Sequence, residues 1–254
     1  MQTKPTLVFV PGAWHLPQCF DLVRPIFEAH GFPTEAVANP SIGAEPPTKT
    51  GADDAANLRT VLSRLIEDEG KSVVLIARSY GGTVASNASE GLGSVQRAKQ
   101  GKNGGISLLI YLAAFVLPEG QSLVDGLGGK PSPWMRSNGD YTYSSNEENV
   151  FYADMEPEQQ QKAISQLSHT SINAFLTPIA HEPFKHMRTG YLFCEQDQAL
   201  QMPLQETFCS LLETGSKEAS LPAPVRASLP SSHSPFFSMP ERTVESIEGM
   251  IGEI

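Results

Sequence analysis

The hydrophobic pattern of this chain alternates between two kinds of segment. Residues 6–10, 73–76, 106–113 and 190–194 are apolar at almost every position, as in strands buried on both faces. Other segments carry apolar residues at helical spacing. Residues 17–30 do so through Phe20, Leu22, Val23, Ile26 and Phe27, with His30-Gly31 as a stop. Residues 53–69 do so through Leu58, Val61, Leu62, Leu65 and Ile66, with Gly70 as a stop. Further helices are predicted over 83–90, 203–213 and 240–251, and short strands over 35–38 and 225–229. The stretches 40–51 and 91–105 read as loops. Strands that alternate with helices and are apolar throughout predict an α/β fold: a mostly parallel sheet flanked by helices.

This rhythm stops at Leu117-Pro118 and returns near residue 189. The intervening stretch holds Trp134, Met135, Tyr141, Tyr143, Phe151, Tyr152, Phe175 and Phe184, with helical patches near 157–167 and 170–177. Roughly 70 residues make a poor independent core. The expected organisation is therefore a single domain over 1–254, with a core of 1–117 and 189–254 and a small helical cap inserted at about 118–188.

Composition narrows the function. The chain has 254 residues, 40% hydrophobic and 18% charged, with a net charge of -10, which disfavours binding to a phosphate backbone. No apolar run approaches the roughly 20 residues of a membrane span, and the first residues do not resemble a secretory signal. Cys19, Cys194 and Cys209 lack metal-site spacing, which fits a reducing, cytoplasmic setting. Gly91-Leu92-Gly93 lacks the third glycine of a dinucleotide fingerprint, and Gly101-Lys102 is followed by Asn103 rather than a phosphate-loop hydroxyl. No cofactor and no metal are expected. The expected partner is a small-molecule substrate, with neither nucleic acid nor membrane, and with homodimerisation left open.

The chemistry centres on Ala77-Arg78-Ser79-Tyr80-Gly81-Gly82, which joins an apolar strand to a helix that begins on small residues. A sharp strand-to-helix turn with serine at its tip is a nucleophile elbow, here with Ala77 in place of the first glycine. Two further strand ends carry Asp197 and His233. The chain order Ser79, Asp197, His233 suits a nucleophile, an orienting carboxylate and a general base. Glu195 competes with Asp197 for the acid. His15 can line the pocket but comes too early for the base; His30 reads as a helix end, and His169, His181 and His186 belong to the cap. Backbone N–H groups of Ala13, in the loop after the first strand, and Tyr80, after the nucleophile, are the candidate oxyanion donors. Trp14, Trp134, Tyr143 and Phe175 are candidate substrate contacts. Trp134 fits equally well as a packing residue of the cap.

With these residues in place, the chain resembles the α/β-hydrolase superfamily, and within it the compact plant methylesterase and hydroxynitrile-lyase group and its microbial relatives of secondary metabolism. The resemblance rests on residues 7–15 (LVFVPGAWH), 78–82 (RSYGG), 191–197 (YLFCEQD) and 232–236 (SHSPF). It departs at Pro11, where the group usually has histidine, and at Arg78, which puts either a cation beside the site or an exposed salt bridge. Gly12 and Ser234 stand where the lyases have threonine and lysine, which favours ester hydrolysis. The resemblance implies a serine hydrolase cleaving a small apolar ester, thioester or lactone through an acyl-enzyme. The alternatives are C–C bond cleavage or cyclisation with the same residues, and a non-catalytic small-ligand binder.

Overall fold

Strands that are apolar on both faces need cover on both, and the order of elements supplies it. The computed structural model describes residues 4–254. The chain enters through β1 (Thr6–Val10), α1 (Arg24–Ala29), β2 (Thr34–Ala36), α2 (Gly51–Ser63), β3 (Ser72–Arg78), α3 (Gly81–Ala88), α4 (Ser94–Lys99) and β4 (Gly105–Leu112). It leaves through β8 (Thr189–Cys194), α9 (Met202–Glu218), β9 (Val225–Leu229), α10 (Pro235–Ser238) and α11 (Pro240–Gly252), after a segment described below. The core strands form one six-stranded sheet in the order β2-β1-β3-β4-β8-β9, parallel throughout. Its two faces carry separate clusters of buried side chains, one under α2, α3 and α9 and the other under α1 and α11.

Between β4 and β8 lie α5 (Leu123–Gly126), β5 (Arg136–Asn138), β6 (Tyr141–Tyr143), α6 (Glu147–Val150), α7 (Pro157–Ile164), β7 (Thr170–Ser171) and α8 (Ile172–Leu176). Strands β5, β6 and β7 form a small antiparallel sheet, so this segment is not purely helical as expected. Strands of two or three residues are too short to show alternation. The small sheet is tied to loops of the core: Trp14 N–H donates to Thr170 Oγ1 at 2.9 Å and Ser171 N–H to Ser41 O at 2.9 Å.

Several boundaries move for local reasons. The helix expected over 17–30 is broken into a 3₁₀ turn, Pro17–Phe20, and α1, which has a proline in its first turn. Helix α2 starts on a capping box, Thr50 with Asp53, and passes into a π-helical turn, Arg64–Asp68. The loop expected over 91–105 contains α4, held by buried Arg97, which donates to the carbonyls of Gly104 (3.2 Å) and Asn103 (3.0 Å). All three cysteines are buried and free. Among the described residues no helix is long and apolar enough to cross a membrane.

Candidate active site

Strand β3 lies between β1 and β4, and its C-terminal end carries Ser79. Ser79 has φ = 55°, a left-handed conformation that is uncommon for a residue with a Cβ and is the strained tip of the elbow. The following turn can pass only because Gly81 has no side chain: a Cβ there would lie 2.6 Å from Val10 O. The turn is pinned by Gly82 N–H and Phe115 N–H, which both donate to Ser79 O, at 3.0 and 3.1 Å.

Two other strand ends converge on this serine. His233 Nε2 stands 3.0 Å from Ser79 Oγ, and His233 Nδ1 stands 2.6 Å from Asp197 Oδ2. Asp197 is 2% exposed; its other oxygen accepts from Ala199 N–H (2.7 Å) and Leu200 N–H (2.9 Å), so its carboxylate is solvated by backbone rather than water. Glu195, two residues earlier, points away and accepts from Ser228 Oγ at 2.7 Å. With Nδ1–H donating to Asp197, the tautomer leaves Nε2 free to accept the Ser79 proton. Burial, and after it the charge of Arg78, hold the His233 pKa below its ordinary value, against the upward pull of Asp197. The imidazole must be neutral to act as a base. The acid limb of kcat/KM should therefore fall at a pH below about 6.5, the unperturbed histidine value. A pH–rate profile that loses activity above that value on acidification would contradict this reading.

The N–H groups of Ala13 and Tyr80 have no hydrogen-bond acceptor among the described residues, and both residues line the cavity beside Ser79. Tyr80 is held through its side chain: its hydroxyl donates to Asp54 Oδ2 at 2.6 Å, and Asp54 also accepts from Ser41 N–H (2.7 Å) and Ser41 Oγ (2.6 Å). Burial raises the Asp54 pKa, and these donors oppose the rise. No pattern in the sequence marked Asp54 as a support of the elbow.

The cavity is walled by Trp14, Phe115, Leu123, Leu127, Trp134, Met135, Phe175 and Leu200, with Ser132 as the polar side chain besides Ser79 and Tyr80. Its free space, counted out to its open mouth, is about 320 Å³, so it is a small slot between these walls. Trp14, Trp134 and Phe175, the candidate substrate contacts, line this cavity. Trp134 also packs edge-on against Trp14 (5.5 Å) and Phe151 (5.3 Å), so it is wall and packing residue at once.

Tyr143 is corrected: it is 42% exposed on the outer face of β6, near Tyr141 and His169, while Thr142 takes the inner face. Side chains alternate along a strand, and register decided between neighbours. His15 is corrected too. It lies outside this cavity, with Nδ1 2.8 Å from Ala13 O and Nε2 2.8 Å from the Tyr152 hydroxyl. Burial and Arg78 lower its pKa well below the ordinary value. Of the other histidines, His30 bonds Glu248 at 2.8 Å, and His181 stacks on His186 at 4.9 Å. Among the described residues, no group of three or more His, Cys, Asp or Glu side chains is gathered as a metal site requires.

A parallel sheet with an elbow serine after its central strand, met by an aspartate and then a histidine from later strand ends, defines the α/β-hydrolase class. The chain belongs to the Alpha/beta hydrolase family, whose sequence model matches residues 7–246. It is 29% identical, over 98% of both chains, to the alpha/beta hydrolase nvfD of Aspergillus novofumigatus, and 26% identical to the probable hydrolase R7 of a Phoma species, over 98% of this chain and 99% of the other. Among solved structures, the methylesterase MES16 of Arabidopsis superposes with a TM-score of 0.75 at 19% identity, over 98% of this chain and all of that one. This last likeness is one of fold.

Proposed function

We propose that this protein is a serine hydrolase that cleaves a small, uncharged, apolar ester, thioester or lactone. The observation that carries the reading is the continuous hydrogen-bonded relay from Ser79 through His233 to Asp197. In this mechanism Ser79 Oγ attacks the carbonyl carbon as its proton passes to His233 Nε2. Asp197 stabilises the imidazolium and the N–H groups of Ala13 and Tyr80 receive the oxyanion. The tetrahedral intermediate collapses, the leaving alcohol or thiol takes the proton from His233, and the acyl group stays on Ser79. Water, deprotonated by His233, then releases the acid and restores the serine.

The slot's apolar walls and lack of a charged lining residue favour an uncharged substrate. In this reading residues from about 118 to 188 act as a cap, since they supply Leu123, Leu127, Trp134, Met135 and Phe175. A fluorophosphonate probe tests the reading directly: covalent labelling of the peptide that contains Ser79 supports it, and folded protein that stays unlabelled favours a non-catalytic binder.

Substrate size should follow the cap walls. Across aryl esters of increasing acyl length, kcat/KM should change by about 1–3 kcal/mol per methylene until the walls clash, then fall sharply. Trp134→Ala and Phe175→Ala should move that limit to larger substrates while Ser79 labelling persists. An unchanged limit in both variants would remove the cap from the specificity argument.

A further inference from the structure

Arg78 precedes the nucleophile and is 1% exposed, yet it forms no ion pair within 4.0 Å among the described residues. A buried cation without a carboxylate partner is costly, because it loses hydration without an opposite charge in contact. Its guanidinium touches two loops. Nη2 donates to Ser234 Oγ at 3.0 Å and to His233 O at 3.4 Å, so it grips the loop that carries His233. Nη1 packs against the loop that carries Ala13: a Cβ on Gly12 would lie 2.4 Å from it, and His15 Nδ1 is 3.2 Å away. His15 Nδ1 also faces Ala13 O at 2.8 Å, and the shorter contact takes its proton, which leaves Nη1 short of an acceptor there. Nε has no partner either. The rings of Phe151 and Phe236, 5.7 and 5.5 Å from Cζ, complete its surroundings and suit a cation.

We propose that Arg78 is a positioning residue of the hydrolytic site, a buried cation that bonds the loop carrying His233 and packs as a spacer against the backbone at Gly12 in the loop carrying Ala13. The inference rests on the hydrolase reading above. Both loops must meet the same substrate carbonyl, one with the base and the other with an oxyanion donor, and Arg78, next to Ser79 in the chain, contacts both. The fork suits this place: Nη2 bonds the His233 loop while Nη1 fills the space beside Gly12, and the single nitrogen of a lysine cannot do both.

The charge has a second consequence. The groups that face His233 are Asp197 after β8, Arg78 at the end of β3, and His15 in the loop after β1; the cap contributes the Phe151 ring at 5.8 Å and Asp154, which accepts from Ser232 N–H at 3.0 Å. Tyr152, Cys19 and Cys194 also face Arg78, but burial raises their pKa and keeps them protonated. Asp197 is thus the anion whose field Arg78 meets, and Arg78 disfavours a second positive charge on the imidazole.

The test compares fluorophosphonate labelling rates of wild type, Arg78→Met, Arg78→Lys and Ser234→Ala against pH, with folding checked by circular dichroism. Arg78→Met should label at least about tenfold more slowly on its plateau, and its acid limb should move up by about one pH unit, the least that a neighbouring charge typically causes. Arg78→Lys should restore the wild-type limb but only part of the plateau. Ser234→Ala, which removes an acceptor and leaves the charge, should lower the plateau without moving the limb. A folded Arg78→Met with the wild-type plateau and limb would overturn the proposal. If Arg78→Met does not fold, a wild-type plateau in both Arg78→Lys and Ser234→Ala would overturn it. Wild type that is not labelled at all refutes the hydrolase reading instead, so the two failures are distinguishable.

Discussion

Ser79→Ala is expected to abolish fluorophosphonate labelling and to lower turnover of any ester substrate by about 10⁴- to 10⁶-fold, while the protein still folds. The size follows from what survives. Without the serine oxygen no acyl-enzyme can form, and only the oxyanion donors and substrate binding still act on a water attack, worth roughly 10³–10⁴ over the uncatalysed reaction. Folding should survive because the elbow's strain belongs to its backbone. Serine and alanine both carry a Cβ at φ = 55°, so the substitution adds no new clash. The elbow bonds use the Ser79 carbonyl and N–H, which alanine keeps. Initial rates with an aryl ester and a thermal unfolding curve check both halves. Activity within about tenfold of wild type would remove Ser79 as the nucleophile.

Asp197→Asn should cost nearly as much, about 10⁴-fold in kcat. The asparagine amide would offer its N–H₂ where His233 Nδ1–H now donates, at 2.6 Å, and so favour the tautomer with the proton on Nε2, which cannot accept from Ser79. The single amide oxygen, in the place of Asp197 Oδ1, can still accept from Ala199 and Leu200 N–H, so the turn should hold. Glu195→Gln is the internal control. Its side chain reaches the exposed Ser228 hydroxyl, and its loss should change kcat by less than a few-fold. Stopped-flow hydrolysis of one ester by both variants makes the comparison. The reverse ranking would assign the acid to the wrong carboxylate.

The two carboxylates show how far a sequence carries. Both stand just past an apolar strand, and pattern alone prefers the later one only by its place on the turn. The distances separate them. The same division runs through the segment between β4 and β8. Its aromatic content was legible, because large apolar side chains in the absence of strand pattern must pack somewhere. Its small sheet was not, because β5, β6 and β7 span only three, three and two residues. Tyr143 reads from sequence as a substrate contact for the same reason: on so short a strand nothing local says which neighbour faces inward, and Thr142 does.

The sequence by itself determined the parallel sheet, the alternating cover of helices and the order in which Ser79, Asp197 and His233 arrive at strand ends. These follow from local forces: fully apolar runs exclude exposed strands, small residues after Ser79 permit a tight turn, and parallel strands put their C-terminal ends on one edge. Only the tertiary structure decided how that edge is furnished. That Arg78 is buried without a carboxylate in contact, that Asp54 holds Tyr80, and that the slot is walled by Trp14, Trp134 and Phe175 all depend on side chains from segments distant in sequence. Such contacts are fixed by register and packing between elements, and the hydrophobic pattern of each element taken singly does not contain them.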